Sequence, residues 1–345
     1  MPRVSDAADP ARTRRLVVHA LFAVLIAFGV ILLVLLAIAL IPVSTAGLGA
    51  HPHPTTSYDQ AVAAFDAYKA DDQRHDPVAG CSSALYTHGH PTENVVVLFH
   101  GLTNCPLQMK VLAEQLEAQG ANVLVLRAPG HGQQDKAAGL DGIEAEQFSA
   151  YGDASVDIAT GLGRHITVMG LSLGGLMSTW AIIERPEVER AVIIAPAYEL
   201  GGYPGPLQYL VGNLFARMPN MAIPGRGPNL GDHAYVDTPT RGVGQMLRLG
   251  RYVMAQAAAH PPVGRQASFV INDNDTTISN SAVEEVISEW QKAGVDVKVV
   301  HLPAGLGLVH DVIDPSQPTQ DIKLVYPIVE ALAEGKTPPP VPQHR

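Results

Sequence analysis

From position 94 to position 334 the apolar residues alternate between two rhythms, with one interruption. Asn94–His100 (NVVVLFH) is an unbroken run of β-branched and apolar residues, the pattern of a strand buried on both faces. Pro106–Gly120 then shows helical spacing at Leu107, Val111, Leu112 and Leu116, with Gly120 as the stop. The alternation continues with strand Asn122–Ala128, helix Glu144–Gly161, strand His165–Leu171, helix Gly174–Arg185 halted by Pro186, and strand Val188–Pro196. Between about 198 and 262 the rhythm breaks into Gly/Pro clusters (GGYPGP, AIPGRGP, HPP) mixed with short helical pieces such as Val243–Ala258. It resumes with strand Ala267–Asn272, helix Ser281–Gly294, strand Val295–Leu302 and helix Gln320–Glu334. Such alternation predicts an α/β fold: a mostly parallel sheet with helices on both faces. Ligands bind such sheets beyond the carboxyl ends of the strands, so the interruption is expected to sit there as a cap.

A different pattern precedes this body. Leu16–Ile41 contains no charged residue, and His19 is its one clearly polar side chain. At about 1.5 Å per residue it can cross a hydrocarbon core of about 30 Å with some tilt. Arg12, Arg14 and Arg15 flank its N-terminal end, which by the positive-inside rule makes residues 1–15 a cytoplasmic N-terminus and exports the rest. The alternative is a cleaved signal peptide, with Ser44-Thr45-Ala46 as a small-residue cleavage site. The run is longer than the usual apolar core of a signal peptide, so 16–41 is expected to be a single uncleaved transmembrane anchor. Residues 42–57 read as a linker, Tyr58–Lys69 as a short helix, 58–337 as one catalytic domain, and 338–345 as a loose tail.

Charge and cysteine content narrow the possibilities. The 345-residue chain carries a formal charge of −10; its first 41 residues hold four arginines against two aspartates, so the exported body is more acidic still. That excludes a nucleic-acid partner, which would need a basic surface. The two cysteines, Cys81 and Cys105, both fall in the exported part, where an oxidising compartment permits a disulfide; the alternative is two buried thiols. His51 and His53 lie close together but without a third ligand at metal spacing, and no glycine-rich phosphate loop is present, so neither metal nor organic cofactor is expected.

The chemistry is concentrated in a few loops. Gly170-Leu171-Ser172-Leu173-Gly174 matches G-x-S-x-G between a predicted strand and a predicted helix, the setting of a nucleophile elbow. A serine hydroxyl needs an adjacent base, which in this arrangement follows an acid late in the chain. His310, after the last strand, is the choice for base; His301 lies within the strand pattern and reads as structural. For the acid, Asp275 is preferred, with Asp273 second and Glu199 third. Donors for a developing oxyanion are expected from the backbone amides of Leu173 and of Leu102, in the loop His100-Gly101-Leu102-Thr103.

At these residues the chain resembles the α/β-hydrolase superfamily. VLFHGLTNCP, VLRAPGHG and GLSLGG are similar to motifs of bacterial carboxylesterases and monoacylglycerol-lipase-like enzymes, over roughly residues 85–335. The resemblance implies a triad of Ser172, Asp275 and His310, an oxyanion loop at His100-Gly101-Leu102, and a flanking structural loop, Arg127–Gly132, whose His131 precedes the serine and is not the base. One departure is Asn272-Asp273-Asn274-Asp275, where such enzymes usually have Gly-x-x-Asp; it leaves two aspartates in contention. The expected activity is hydrolysis of carboxylic esters, of lipid or acylglycerol type, through an acyl-enzyme. Peptidase, thioesterase or acyltransferase chemistry would use the same residues, and a non-catalytic binding protein could use the same fold. The apolar cap residues Leu207, Tyr209, Leu210, Val211, Leu214, Phe215 and Met218 would suit an acyl chain or would form the cap's own core.

Overall fold

The computed structural model describes residues 10–135, 139–224 and 233–344. The charged residues Arg3, Asp6 and Asp9, residues 225–232 of the predicted cap, and Arg345 lie outside them.

The chain opens with α1 (Pro10–Leu40) and α2 (Tyr58–Arg74), then β1 (Ala84–Tyr86), β2 (Thr92–Phe99), α3 (Lys110–Ala118) and β3 (Asn122–Val125). The centre is α4 (Ala145–Leu162), β4 (Gly163–Leu171), α5 (Leu173–Glu184) and β5 (Val188–Ile194). Next come α6 (Gly205–Phe215), a two-strand hairpin of β6 (Ala222–Ile223) and β7 (Thr238–Pro239), and α7 (Thr240–Ala259). The chain closes with β8 (Gln266–Asn272), α8 (Asn280–Lys292), β9 (Asp296–Leu302) and α9 (Ile322–Ala333).

Among the described residues, seven strands form the main sheet in the order β1-β3-β2-β4-β5-β8-β9. All its pairs are parallel except β1 on β3. Val95–Phe99 and Ile166–Leu171 are buried throughout, as continuous apolar strands in the middle of such a sheet must be. One helical layer runs α4, α5, α7 and α8 in mutual contact. On the other, α3 and α9 are joined by Gln119 Nε2 donating to Glu330 Oε2 at 2.9 Å. α5 is buried from Leu173 to Ile182, which explains its almost wholly apolar sequence: it has no water-facing side to make polar.

The sequence-predicted strands and helices of the sheet recur with end shifts of a few residues. Two elements differ in kind. Pro106–Met109 forms a 3₁₀ turn before α3 rather than the first turn of one helix. α6 was hidden in the Gly/Pro-rich stretch, because Pro204 and Pro206 mark its start while Gly205 and Gly212 dilute its period.

The segment read as a linker, 42–57, has no helix or strand but is tied down along its length. Leu48 is fully buried, and the Trp180 indole donates to its carbonyl at 2.7 Å. The amides of Ala50, His51 and His53 donate to Glu184, Asp153 and Asp157. The C-terminal segment read as a loose tail runs with Val341 packed against the main core and His344 beside Gly305. α1 has a mean hydropathy of 3.3 over its most apolar window, with none of that window buried by the rest of the chain. By length and composition it can cross a membrane.

Candidate active site

Ser172 sits between β4 and α5 with φ 61° and ψ −113°, a left-handed conformation for a residue with a Cβ. Such a backbone costs about 1–3 kcal/mol and persists only where its surroundings impose it. Here they do. Ser172 N donates to Ile194 O, and Ser172 O accepts from Leu176 N and Ala197 N. A Cβ on Gly174 would lie 1.9 Å from Phe99 O, and one on Gly170 would lie 2.4 Å from Gly174. Both glycines of the motif are therefore required by close backbone approach, and together they hold the serine up at the carboxyl edge of the sheet.

The two histidine–aspartate possibilities separate cleanly. His310 Nδ1 donates to Asp275 Oδ2 at 2.6 Å, and the Asp275 side chain is wholly buried. Asp273 Oδ1 instead bonds His301 Nδ1 at 2.8 Å in a half-exposed pair. Glu199 lines a separate cavity under α6 with Tyr198, Arg251 and Glu285. The second oxygen of Asp275 accepts from Thr277 N at 2.8 Å, which fixes the carboxylate. His310 Nε2 is buried and has no hydrogen-bond partner among the described residues. With Nδ1 carrying the proton, Nε2 is the basic nitrogen.

Ser172, His310, Leu102 and Gly101 line one cavity of about 840 Å³. Leu173 is buried as the first residue of α5, so its amide belongs to the N–H groups a helix leaves without an internal partner. The adjoining loop is heavily braced. His100 Nδ1 donates to Gly101 O at 3.0 Å, and its Nε2 accepts from Ala128 N at 3.0 Å, which assigns the neutral tautomer. Burial, helped by His131 nearby, pushes His100 down to about 3. Burial likewise takes His131 to about 4; its Nδ1 donates to Pro129 O, and it does not line the cavity of Ser172. Cys81 and Cys105 are joined in a disulfide, and Gly132 packs so closely that a Cβ there would meet both cysteine Cβ atoms within 2.8 Å. In the flanking loop Arg127 is buried, with Nε bonded to Asp72 Oδ1 at 3.2 Å and Nη1 donating to His131 O at 2.8 Å.

Several residues escaped the sequence reading. Gln108 Oε1 accepts from Gly101 N at 2.8 Å while its Nε2 donates to Asp311 Oδ2 at 2.8 Å. Asp311 is raised by its burial, against the opposing hydrogen bond from the Asp314 amide at 3.0 Å. Gln108 and Asp311 thereby tie the loop of His310 to the loop of Leu102. Asn272 Nδ2 donates to Val309 O and Asn274 Nδ2 to Leu308 O, which accounts for the unusual Asn-Asp-Asn-Asp: its asparagines hold the histidine loop. His233 Nε2 bonds Asp314 Oδ2 at 2.9 Å; burial works to raise that carboxyl, but His233 and Ser316 outweigh it and hold it low. Tyr235 N donates to Thr103 O at 2.7 Å. The signal for these residues is weak, since apart from the Gly101–Gln108 bond each joins positions far apart in the chain.

The cap departs from expectation in one respect. None of Leu207, Tyr209, Leu210, Val211, Leu214, Phe215 and Met218 lines the cavity of Ser172, which the cap reaches through Ala234, Tyr235, Val236 and Thr238. Leu207 and Tyr209 are not a buried cap core either; they are exposed. The reason is that α6 packs beside the end of α1 and against α7, away from the sheet edge.

Comparison with known proteins agrees with this architecture. Residues 90–299 match the model of the family described as serine aminopeptidase, S33. The thermostable monoacylglycerol lipase of Bacillus sp. (strain H-257) is 27% identical over 194 residues, covering 53% of this chain and 70% of that protein. Among solved structures, one from the work on LipS and LipT, two metagenome-derived lipolytic enzymes, superposes with a TM-score of 0.58 at 20% identity, covering 75% of this chain and all of that one. The monoacylglycerol lipase of Paleococcus ferrophilus gives 0.54 at 16% identity, covering 73% of this chain and 98% of that one.

Proposed function

This chain belongs to the family described as serine aminopeptidase, S33, on the α/β-hydrolase fold, and from that premise we propose that it hydrolyses carboxylic esters with Ser172 as nucleophile, His310 as base and Asp275 as the acid that orients the base. The observation that carries this is the Asp275–His310 bond of 2.6 Å, with His310 lining the cavity that also holds Ser172 and the far nitrogen of its imidazole unpartnered among the described residues. His310 Nε2 takes the hydroxyl proton as Ser172 Oγ attacks the acyl carbon, while Asp275 stabilises the imidazolium. The amides of Leu102 and Leu173 receive the oxyanion. The imidazolium returns its proton to the leaving alcohol, and water activated by the same nitrogen releases the acid.

The cavity favours an ester over a peptide with a free amino terminus. Among the described residues lining it, the one carboxylate is Asp311, and both its oxygens are already committed, Oδ2 to Gln108 Nε2 and Oδ1 to the amides of Ile313 and Asp314. A carboxylic ester needs no free carboxylate as an anchor, and the monoacylglycerol lipase among the relatives points to an acylglycerol. The α1 helix serves as an uncleaved anchor with its N-terminus cytoplasmic and the catalytic domain outside. The test is a substrate panel of aryl esters, monoacylglycerols, thioesters and aminoacyl amides with Ser172→Ala as control. Turnover of esters that vanishes in the variant is expected. Preferential turnover of aminoacyl amides, or full ester turnover in the variant, contradicts the proposal.

A further inference from the structure

α6 is an odd helix for a water-facing surface. Residues 200–216 contain no charged side chain, in a domain that is otherwise acidic. Leu207 and Tyr209 on it and Tyr203 just before it are 38–52% exposed, and Met221 and Ile223 continue the exposed apolar surface at the next strand. A helix at a water surface normally carries charge on its outer face, so water is not the natural neighbour of this one.

What lies beside it is the end of the apolar helix α1. Asn213 Nδ2 donates to Ala39 O at 2.8 Å, and its Oδ1 accepts from Val43 N at 3.2 Å. Arg217 donates to Ile41 O at 2.5 Å and to Pro42 O at 2.8 Å, and Arg248 donates to Ser44 O at 2.6 Å. The last carbonyls of a helix lack internal partners and form the negative end of its dipole, so Asn213 at Ala39 O and Arg217, which also reaches Ile38 O at 3.3 Å, finish α1 from outside, while Arg248 holds the chain just past its end. The chain beyond is pinned by Leu48, leaving no slack stem between anchor and body. The uncharged face of α6 is thus held at the level where α1 ends.

We propose that α6 is a membrane-docking surface, with Tyr203, Leu207 and Tyr209 seated in the interfacial layer of the bilayer that α1 crosses and Asn213 and Arg217 fixing it there. This rests on the anchor reading of α1 and goes beyond it. The occupant is lipid because the surface is continuous with a helix that itself needs lipid, and because tyrosine with apolar neighbours is the composition that interfacial layers favour. The cap then acts as a fixed floor on the membrane rather than a lid swinging over water.

The test uses the full chain in vesicles of phosphatidylcholine and phosphatidylglycerol. With both native cysteines in a disulfide, Leu207→Cys or, as a control at the opposite edge of the sheet, Lys292→Cys can be labelled with an environment-sensitive fluorophore. Headgroup-level nitroxide lipids should quench the label at 207 and leave that at 292 unchanged. Equal quenching at both overturns the proposal. A blue shift at 207 without nitroxide quenching also overturns it, since another protein copy then covers the face. The pair Asn213→Ala and Arg217→Ala should lower hydrolysis of vesicle-borne monoacylglycerol several-fold while a soluble aryl ester is cleaved at the parent rate, which also reports folding; equal rates on both substrates contradict it. A chain that fails to float with vesicles removes the anchor reading and this proposal together. A chain that floats and is quenched at 207 but cleaves no ester sustains the docking surface and removes the hydrolase reading alone.

Discussion

The carboxyl edge of the sheet and the junction of anchor and cap solve opposite problems. At the sheet edge, polar groups are buried and bonded to one another, His310 to Asp275, His100 to Gly101 and Ala128, Gln108 to Gly101 and Asp311, with His310 Nε2 left over among the described residues. At the junction, apolar groups are exposed, and the bonds run from arginine and asparagine side chains to the end of α1. The first region fixes single atoms for chemistry; the second fixes the orientation of a whole domain. The contrast teaches that a few side-chain-to-carbonyl bonds can set where a domain sits, whereas catalysis needs a closed network of them.

The comparison breaks most visibly at the aspartates. Asp275→Asn should lower kcat by about 10⁴-fold, because the wrong imidazole tautomer is then favoured, while Asp273→Asn should stay within a few-fold of the parent. Steady-state rates on an aryl ester decide between them, and a reversed order would reassign the acid. The next effect is on stability in acid. His100 and His131 are held neutral, near 3 and 4, against about 6.5 when unfolded. Their contribution is fully present above about pH 6.5 and is lost as pH falls toward those lower values, because the unfolded chain takes up the protons first. Denaturant unfolding at pH 5 should show up to roughly 4 kcal/mol less stability than at pH 7. A flat profile would mean that both rings are free to charge in the fold.

Reducing the Cys81–Cys105 bridge, which closes a separation of 24 residues, should cost about 3 kcal/mol of unfolding free energy. Calorimetry with and without reductant measures it, and the α6 junction should be indifferent. Smallest is Gln108→Leu, which should lower kcat about tenfold or more with KM little changed, by freeing the amide of Gly101. Asp311→Asn keeps an acceptor for Gln108 and should retain most activity. If Asp311→Asn is as damaging as Gln108→Leu, the tie between the two loops is not what positions the oxyanion donors.

The two regions were also unequally legible in the sequence. The strands could be read because β2 and β4 are buried on both faces and so run as continuous apolar segments, and the elbow because G-x-S-x-G fell between strand and helix. Asp275 was preferred but contested, since spacing alone cannot say which of two aspartates faces His310. Gln108 and Asp311, 203 residues apart, left no local pattern. α6 does not stand out in the sequence because its prolines and glycines read as loop, and its apolar residues suit an acyl chain or a cap core equally well, since periodicity does not tell what an apolar face meets. Asn213 and Arg217 gave no sign at all, for their partners are backbone carbonyls some 175 residues earlier.

The central claim is that the strained turn at Ser172 offers an oxygen activated by His310. Labelling the full-length chain with a fluorophosphonate and mapping the modified peptide tests it directly. A single adduct on Ser172, lost in His310→Ala, is the expected result. An unlabelled chain, or an adduct on another serine, would contradict the account.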